Sequence, residues 1–441
     1  MDVERAKESH EIKSRVLQAA LLVPITGFYI SIINPFVSFD GWQYISSARS
    51  LFDRSEMNQH YFWVREPGFP LLVKVTTFNN SFLWGLIIFN LFLFMMCFFY
   101  FFTQVMKSTQ MSNRLENIYL FISYLGSITL VGGYAGNFGR DSIIISTNLL
   151  FSALCISVFK NQTNTQTKLT KVSLCLTLLF SATLSKPLSY AFGITLVLLL
   201  VGKHLTQREK PKLLDVSLYS STLATGLIII PFYWRKELGK AINDPLFNKQ
   251  NFADPMWDLS VGQILSRFSE DIVLIQTIPL VFLSLLGIGS NLGWIFSRNE
   301  AQISPSQNAD IGYGLFAQHY PNCNVSKPHG FIANIEFLQE EAGLKLCGIS
   351  EIDLPNILFY PIYTIYFALL VLFLFSLKTV VSNSGGLYFV SYLGSTFVYI
   401  SFFAISGGAI DRYGALLIPI VFVNLGSLIS HNYKLKRLVR W

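Results

Sequence analysis

The chain of 441 residues is 52% hydrophobic and only 13% charged, with a mean hydropathy of +0.46, whereas soluble domains carry about 25% charged residues. That deficit excludes a soluble globular protein, and the 39 phenylalanines suit helices bathed in lipid. The formal net charge of +7 does not point to nucleic acid, because the basic residues gather in short segments between apolar runs.

In chain order, residues 1–15 form a mixed-charge stretch with no small-residue cleavage site, so the first apolar run is expected to stay as an anchor. Apolar runs follow at 16–34, 82–105, 116–134, 142–159, 169–185, 188–203, 213–233, 271–296, 356–377, 386–405 and 413–430. A bilayer core of roughly 30 Å takes about 20 residues of helix, and backbone groups in lipid must be satisfied within their own segment. The expected fold class is therefore an all-α polytopic membrane protein. The pair at 169–203 is short and broken by "SKP", which predicts a tight helical hairpin.

Charge sets the expected topology. "RAKESHEIKSR", "KNQTNTQTKLTK", "GKHLTQREKPK" and "YKLKRLVRW" read as cytoplasmic under the positive-inside rule. Both termini then lie inside, with a membrane domain over 16–431 and a basic tail over 432–441. Eleven crossings cannot put both ends on one side, so one crossing is either missed or wrongly counted, and 234–356 is where that is expected. Residues 35–81, the short "GGYAGNFGRDS" connection and the long segments 234–270 and 297–355 are expected outside the cytoplasm, and the last two together create the parity conflict. Cys97, Cys155 and Cys175 lie in apolar runs and read as inert packing residues. Cys323 and Cys347 share one polar loop, where a disulfide and two free thiols both stay open.

Four places put charge beside an apolar run. The first outer loop holds "FDGWQYISSARSLF", in which Asp40 precedes a stretch spacing Trp42, Ile45, Ala48 and Phe52 as one face of an interfacial helix. Asp40 is a helix N-cap on one reading and a proton acceptor on the other. "VREPGFPLLV" follows, with Arg65 beside a proline-glycine break. "GRDSIII" puts Arg140 and Asp141 at the outer end of a span, and "LSKPL" puts Lys186 at the hairpin tip. Asp411 and Arg412 in "DRYGALLIPI" head the last span. Singly, these are caps and snorkelling side chains. Together they would place cations and carboxylates at one membrane face, which suits an anionic lipid head group and a proton acceptor.

The order of these motifs resembles the GT-C superfamily of membrane glycosyltransferases, closest to the family 39 and aminoarabinose-transferase-like branch. The resemblance covers roughly residues 15–235 and the stretch near 411–420. It implies a fold of about 11–12 transmembrane helices and an inner-membrane location with the active site outside. The implied reaction moves a sugar from a polyprenyl-phosphate donor to a glycan, lipid or protein acceptor in the cell envelope. It implies Asp40 as general base with Asp141 assisting, and Arg65, Arg140, Lys186, Arg412 and Tyr44 as substrate-binding residues. Two positions depart from the family. Many members carry a second acid after the first, where this chain has Gly41, so a divalent metal stays open. Many also carry Arg where Lys186 stands, a change that loses the bidentate fork. An O-antigen polymerase or serotype-converting glucosyltransferase would share length and topology. A transporter or lipid flippase would place its charges near the midplane on broken helices, whereas here they sit at helix ends.

Overall fold

The computed structural model describes residues 2–32, 44, 48, 66–78, 82, 84–107, 113–136, 139–160, 166–207, 213–230, 232, 361, 364–372, 390–406 and 415–423. Among these residues the secondary structure is helical throughout, with no strand. Five of the helices are long and apolar enough to cross a bilayer. The chain is an all-α, multi-pass membrane protein.

The main helices are α1 (Asp2–Ile32), α2 (Gly68–Thr76), α3 (Trp84–Met106), α4 (Asn113–Gly136), α5 (Asp141–Lys160), α6 (Gln166–Leu184), α7 (Lys186–Gln207), α8 (Leu213–Ala224) and α9 (Ser395–Ser406). The apolar runs from 82 to 203 coincide with α3 to α7 to within a few residues. The expected hairpin also forms, with Ser185 alone between α6 and α7. Two expectations shift. Helix α1 starts at Asp2, because helix runs on through the charged tail that hydropathy does not count. In the 213–233 run the helix widens at Thr225–Ile229 into a π-type turn. Gly226 lies there against Leu178 of α6.

α5 is the central helix, packed most extensively against α3 and also against α6. Most of its span is buried inside the protein, while the span of α1 is largely exposed. Two of its buried hydroxyls bond back to their own helix: Ser146 donates to the Ser142 carbonyl at 2.8 Å and Thr147 to that of Ile143 at 2.7 Å. Asn148 faces α9 instead. Its amide donates to Thr396 Oγ1 at 2.8 Å, and its carbonyl accepts from Ser395 Oγ at 2.6 Å. Just before α9, the wide turn Val390–Gly394 brings the Tyr392 hydroxyl to the Leu416 carbonyl.

Paired residues give the direction of each helix. Arg15 of α1 pairs with Glu116 of α4, Gln18 with Asn117 and Thr26 with Tyr124, so α1 and α4 run parallel. Lys171 of α6 meets Asp215 of α8 at 2.6 Å, and Lys203 of α7 lies over the Phe159 ring of α5. The basic connections at 160–171 and 203–212 therefore share one end of the bundle, as the charge pattern predicts. Cys97, Cys155 and Cys175 are free and buried, as expected. The segments 234–270 and 297–355, with Cys323 and Cys347, lie outside the described residues.

Candidate functional site

The opposite end of the bundle is where helices α2, α5 and α7 begin. α2 grows from "REPGFP". Pro67 holds the N-cap position at φ −75° and its carbonyl accepts from the Leu71 N–H at 2.9 Å. Proline suits the first helical turn, where its missing N–H would have no intrahelical partner anyway. Gly68 is required by a close approach: a Cβ there would stand 2.6 Å from the carbonyl oxygen of Thr183, near the end of α6. α5 starts when the Ile144 N–H bonds the Arg140 carbonyl at 2.9 Å. Asp141 then occupies the first turn, where a carboxylate is favoured by the helix dipole. At α7 the Ser189 N–H bonds the Ser185 carbonyl at 3.1 Å.

One side chain ties the heads of α2 and α5 to the corner between α6 and α7. Arg140 Nη1 donates to Glu66 Oε2 at 2.9 Å and to the Leu184 carbonyl at 3.0 Å. Both members of the ion pair are nearly out of solvent, with side-chain exposures of 4% and 10%. Removing one partner of a buried pair leaves the other charge stranded, at a cost of about 3–5 kcal/mol. Arg140 is thus no snorkelling arginine at an interface. Glu66, which sequence reasoning passed over, is its partner. The available signal was a lone acid between Arg65 and a proline break at a membrane boundary. That signal was masked by the prolines and glycine, which explain the stretch as a turn without it.

The other expected site residues fall as follows. Tyr44 is helical and buried, its ring set edge-on against Phe69 of α2 with centroids 4.6 Å apart. Tyr44 therefore touches the same helix that Glu66 precedes. Ala48, expected on a lipid-facing side, is fully buried instead. It lies one helical turn from Tyr44, so this face packs on protein. Asp141 is buried, with 7% exposure. The backbone of Lys186 opens α7, two residues after the carbonyl that Arg140 holds. Its side chain lies outside what the structure describes, as do Asp40, Arg65, Asp411 and Arg412. Leu416, four residues after Arg412, is fixed by Tyr392. No cluster of three or more metal-ligating side chains occurs among the described residues. An apolar cleft of about 220 Å³ lies elsewhere, between α3, α5 and α6, lined by residues such as Leu93, Thr147 and Phe180.

Comparison with protein-family models, curated proteins and solved structures gives no match. The site therefore stands on its own chemistry. It has a buried carboxylate in Asp141, a locked arginine–glutamate pair and three helix starts whose dipoles present positive ends.

Proposed function

We propose that this chain is an integral-membrane glycosyltransferase of the GT-C type, acting at the extracytoplasmic face of the inner membrane. The observation that supports this most is the meeting of three motif stretches, "REPGFP", "GRD" and "LSKP", through Arg140, Glu66 and the Leu184 carbonyl. These stretches are separated by 74 and 44 residues along the chain. Bundle stability alone does not call for charge at this junction, since apolar residues would pack there at lower desolvation cost. A reaction with charged substrates at the membrane surface does call for it.

In this reading the donor is a sugar carried on a polyprenyl phosphate, and the acceptor is an envelope glycolipid, polysaccharide or protein. Asp40 takes the proton from the acceptor hydroxyl, and general-base help of this kind contributes about 10²–10⁴-fold. The acceptor oxygen attacks the anomeric carbon in one displacement, inverting it, while the bond to the polyprenyl phosphate breaks. Arg65, Lys186 and Arg412 stabilise the negative charge on the departing phosphate, a term often among the largest in catalysis. Asp141 orients the acceptor. Chelation before assay distinguishes a divalent-metal requirement from metal-free transfer.

The test has two parts. Deleting the gene should shift the mass of envelope glycoconjugates by one sugar residue per acceptor. Asp40→Asn keeps size and capping ability, since Asn caps about as well as Asp, yet removes the proton acceptor. It should insert and fold normally while losing transfer by about a hundredfold or more. Asp40→Glu should recover little, because misplacement by about 1 Å can cost roughly 10²-fold. An Asn variant with most of its activity would leave Asp40 as a cap and give the base role to Asp141.

A further inference from the structure

We infer that Arg140 is a positioning residue, whose buried contacts with Glu66 and the Leu184 carbonyl hold together the chain stretches that carry Arg65, Asp141 and Lys186. The inference rests on the glycosyltransferase reading for what those three groups do, and on geometry for how they are held. Each of the three is a close chain neighbour of an atom in the clamp. Arg65 precedes Glu66, Asp141 follows Arg140, and Lys186 lies two residues beyond Leu184. The clamp itself joins the heads of α2 and α5 to the last residue of α6, with contacts of 2.9 and 3.0 Å on a single guanidinium nitrogen. Gly68 and Thr183 bring the same two chain segments into backbone contact one turn away, so the clamp closes on a junction already without slack.

This geometry separates Arg140 from the other cations. Its Nη1 is committed to a carboxylate and a carbonyl, and its side chain is only 4% exposed. Burial of the whole guanidinium keeps a donor phosphate from reaching it unless the junction opens. Arg140 therefore acts through its neighbours and not on the phosphate. Lysine keeps the charge, but its compact ammonium on a different stem does not stand where the guanidinium nitrogen holds both acceptors.

The test uses the full-length protein in lipid nanodiscs and compares wild type, Arg140→Met, Glu66→Leu/Arg140→Met, and Arg140→Lys. Kinetics are read on a short-chain polyprenyl-phosphate hexose. Spin labels at Val75 on α2 and Leu198 on α7, both exposed, report the disposition of the two helices in a cysteine-free background. The single Met variant strands Glu66 and should melt well below wild type. The double variant removes both charges, and such replacements are often neutral or stabilising, so it should regain thermal stability. A positioning role requires that the double variant still lose kcat by on the order of 10²-fold, with donor KM close to wild type and a widened 75–198 distance distribution. Arg140→Lys should fold and show the same pattern in milder form. Recovery of kcat together with stability would make the pair a stability element only. A raised KM with unchanged kcat would instead make Arg140 a donor ligand. An unaltered distance distribution would also overturn the inference. A wild-type protein inactive on this probe would remove the reaction reading, while the distance measurement would still decide the clamp. If the double variant fails to fold, Arg140→Lys carries the test by its kcat, KM and distances.

Discussion

At the scale of single residues, the junction at the head of α2 tolerates little. Gly68 sits in the first turn of a helix, where alanine would ordinarily gain about 0.5–1 kcal/mol through reduced chain entropy. Here the new methyl would meet the Thr183 backbone, with its carbonyl carbon at 2.8 Å and oxygen at 2.6 Å. Backbone held at the end of a packed helix cannot swing aside as a flexible side chain can. Overpacking of this kind costs about 1–3 kcal/mol, so the clash outweighs the entropic gain. Gly68→Ala should lower the melting temperature of the purified protein, and Gly68→Val should lower it further. An alanine variant as stable as wild type would mean that α2 and α6 slide apart freely, which would also weaken the case for a tightly set site.

At the scale of elements, α3 and α5 each carry a fully buried asparagine, and the two should answer mutation in opposite ways. Asn148 on α5 uses both ends of its amide on α9, donating to Thr396 and accepting from Ser395. Asn90 on α3 is buried to the same degree, yet neither amide atom has a hydrogen-bond partner among the described residues. A buried polar group left unsatisfied costs about 1–3 kcal/mol. Asn148→Leu should therefore destabilise the fold by roughly 1 kcal/mol, since interhelical bonds in membranes average about 0.6 and reach about 1.7 kcal/mol. Asn90→Leu should leave stability unchanged or raise it. Thermal unfolding of the two variants in one detergent gives the comparison, and equal losses would show that Asn90 has a polar partner in the membrane. Neither asparagine stood out in the sequence, because both lie inside apolar runs that stay long enough to span. What the runs do reveal is length: α3 to α7 were legible because the bilayer imposes a span that hydropathy measures directly. The partners of those helices were not. Glu66 and Arg140 are 74 residues apart, and their pairing depends on α5 lying beside α6, which no local pattern encodes. The motif order did place "REPGFP", "GRD" and "LSKP" together, since each falls at the same end of alternating helices.

At the scale of the whole molecule, charge divides the bundle. One end carries Arg15, Glu116, Lys171, Asp215 and Lys203, partly exposed and paired or stacked along helix starts and ends. The other carries the buried Glu66–Arg140 pair and Asp141. The positive-inside rule counts lysine and arginine in short loops, so the first end should face the cytoplasm and the second the outside. Two single-cysteine variants decide this, made in a background without native cysteines. Lys168 is exposed at the start of α6, at the basic end. Phe78 is 72% exposed in the turn after α2, on the way to the start of α3. In intact cells a membrane-impermeant maleimide should label Phe78→Cys and spare Lys168→Cys, and lysis should expose the second. The reverse pattern would put the Arg140 clamp in the cytoplasm. A polyprenyl-phosphate sugar would then have to be used before it crosses the membrane, and the proposed outward-facing transfer would fail even if every site residue proved essential.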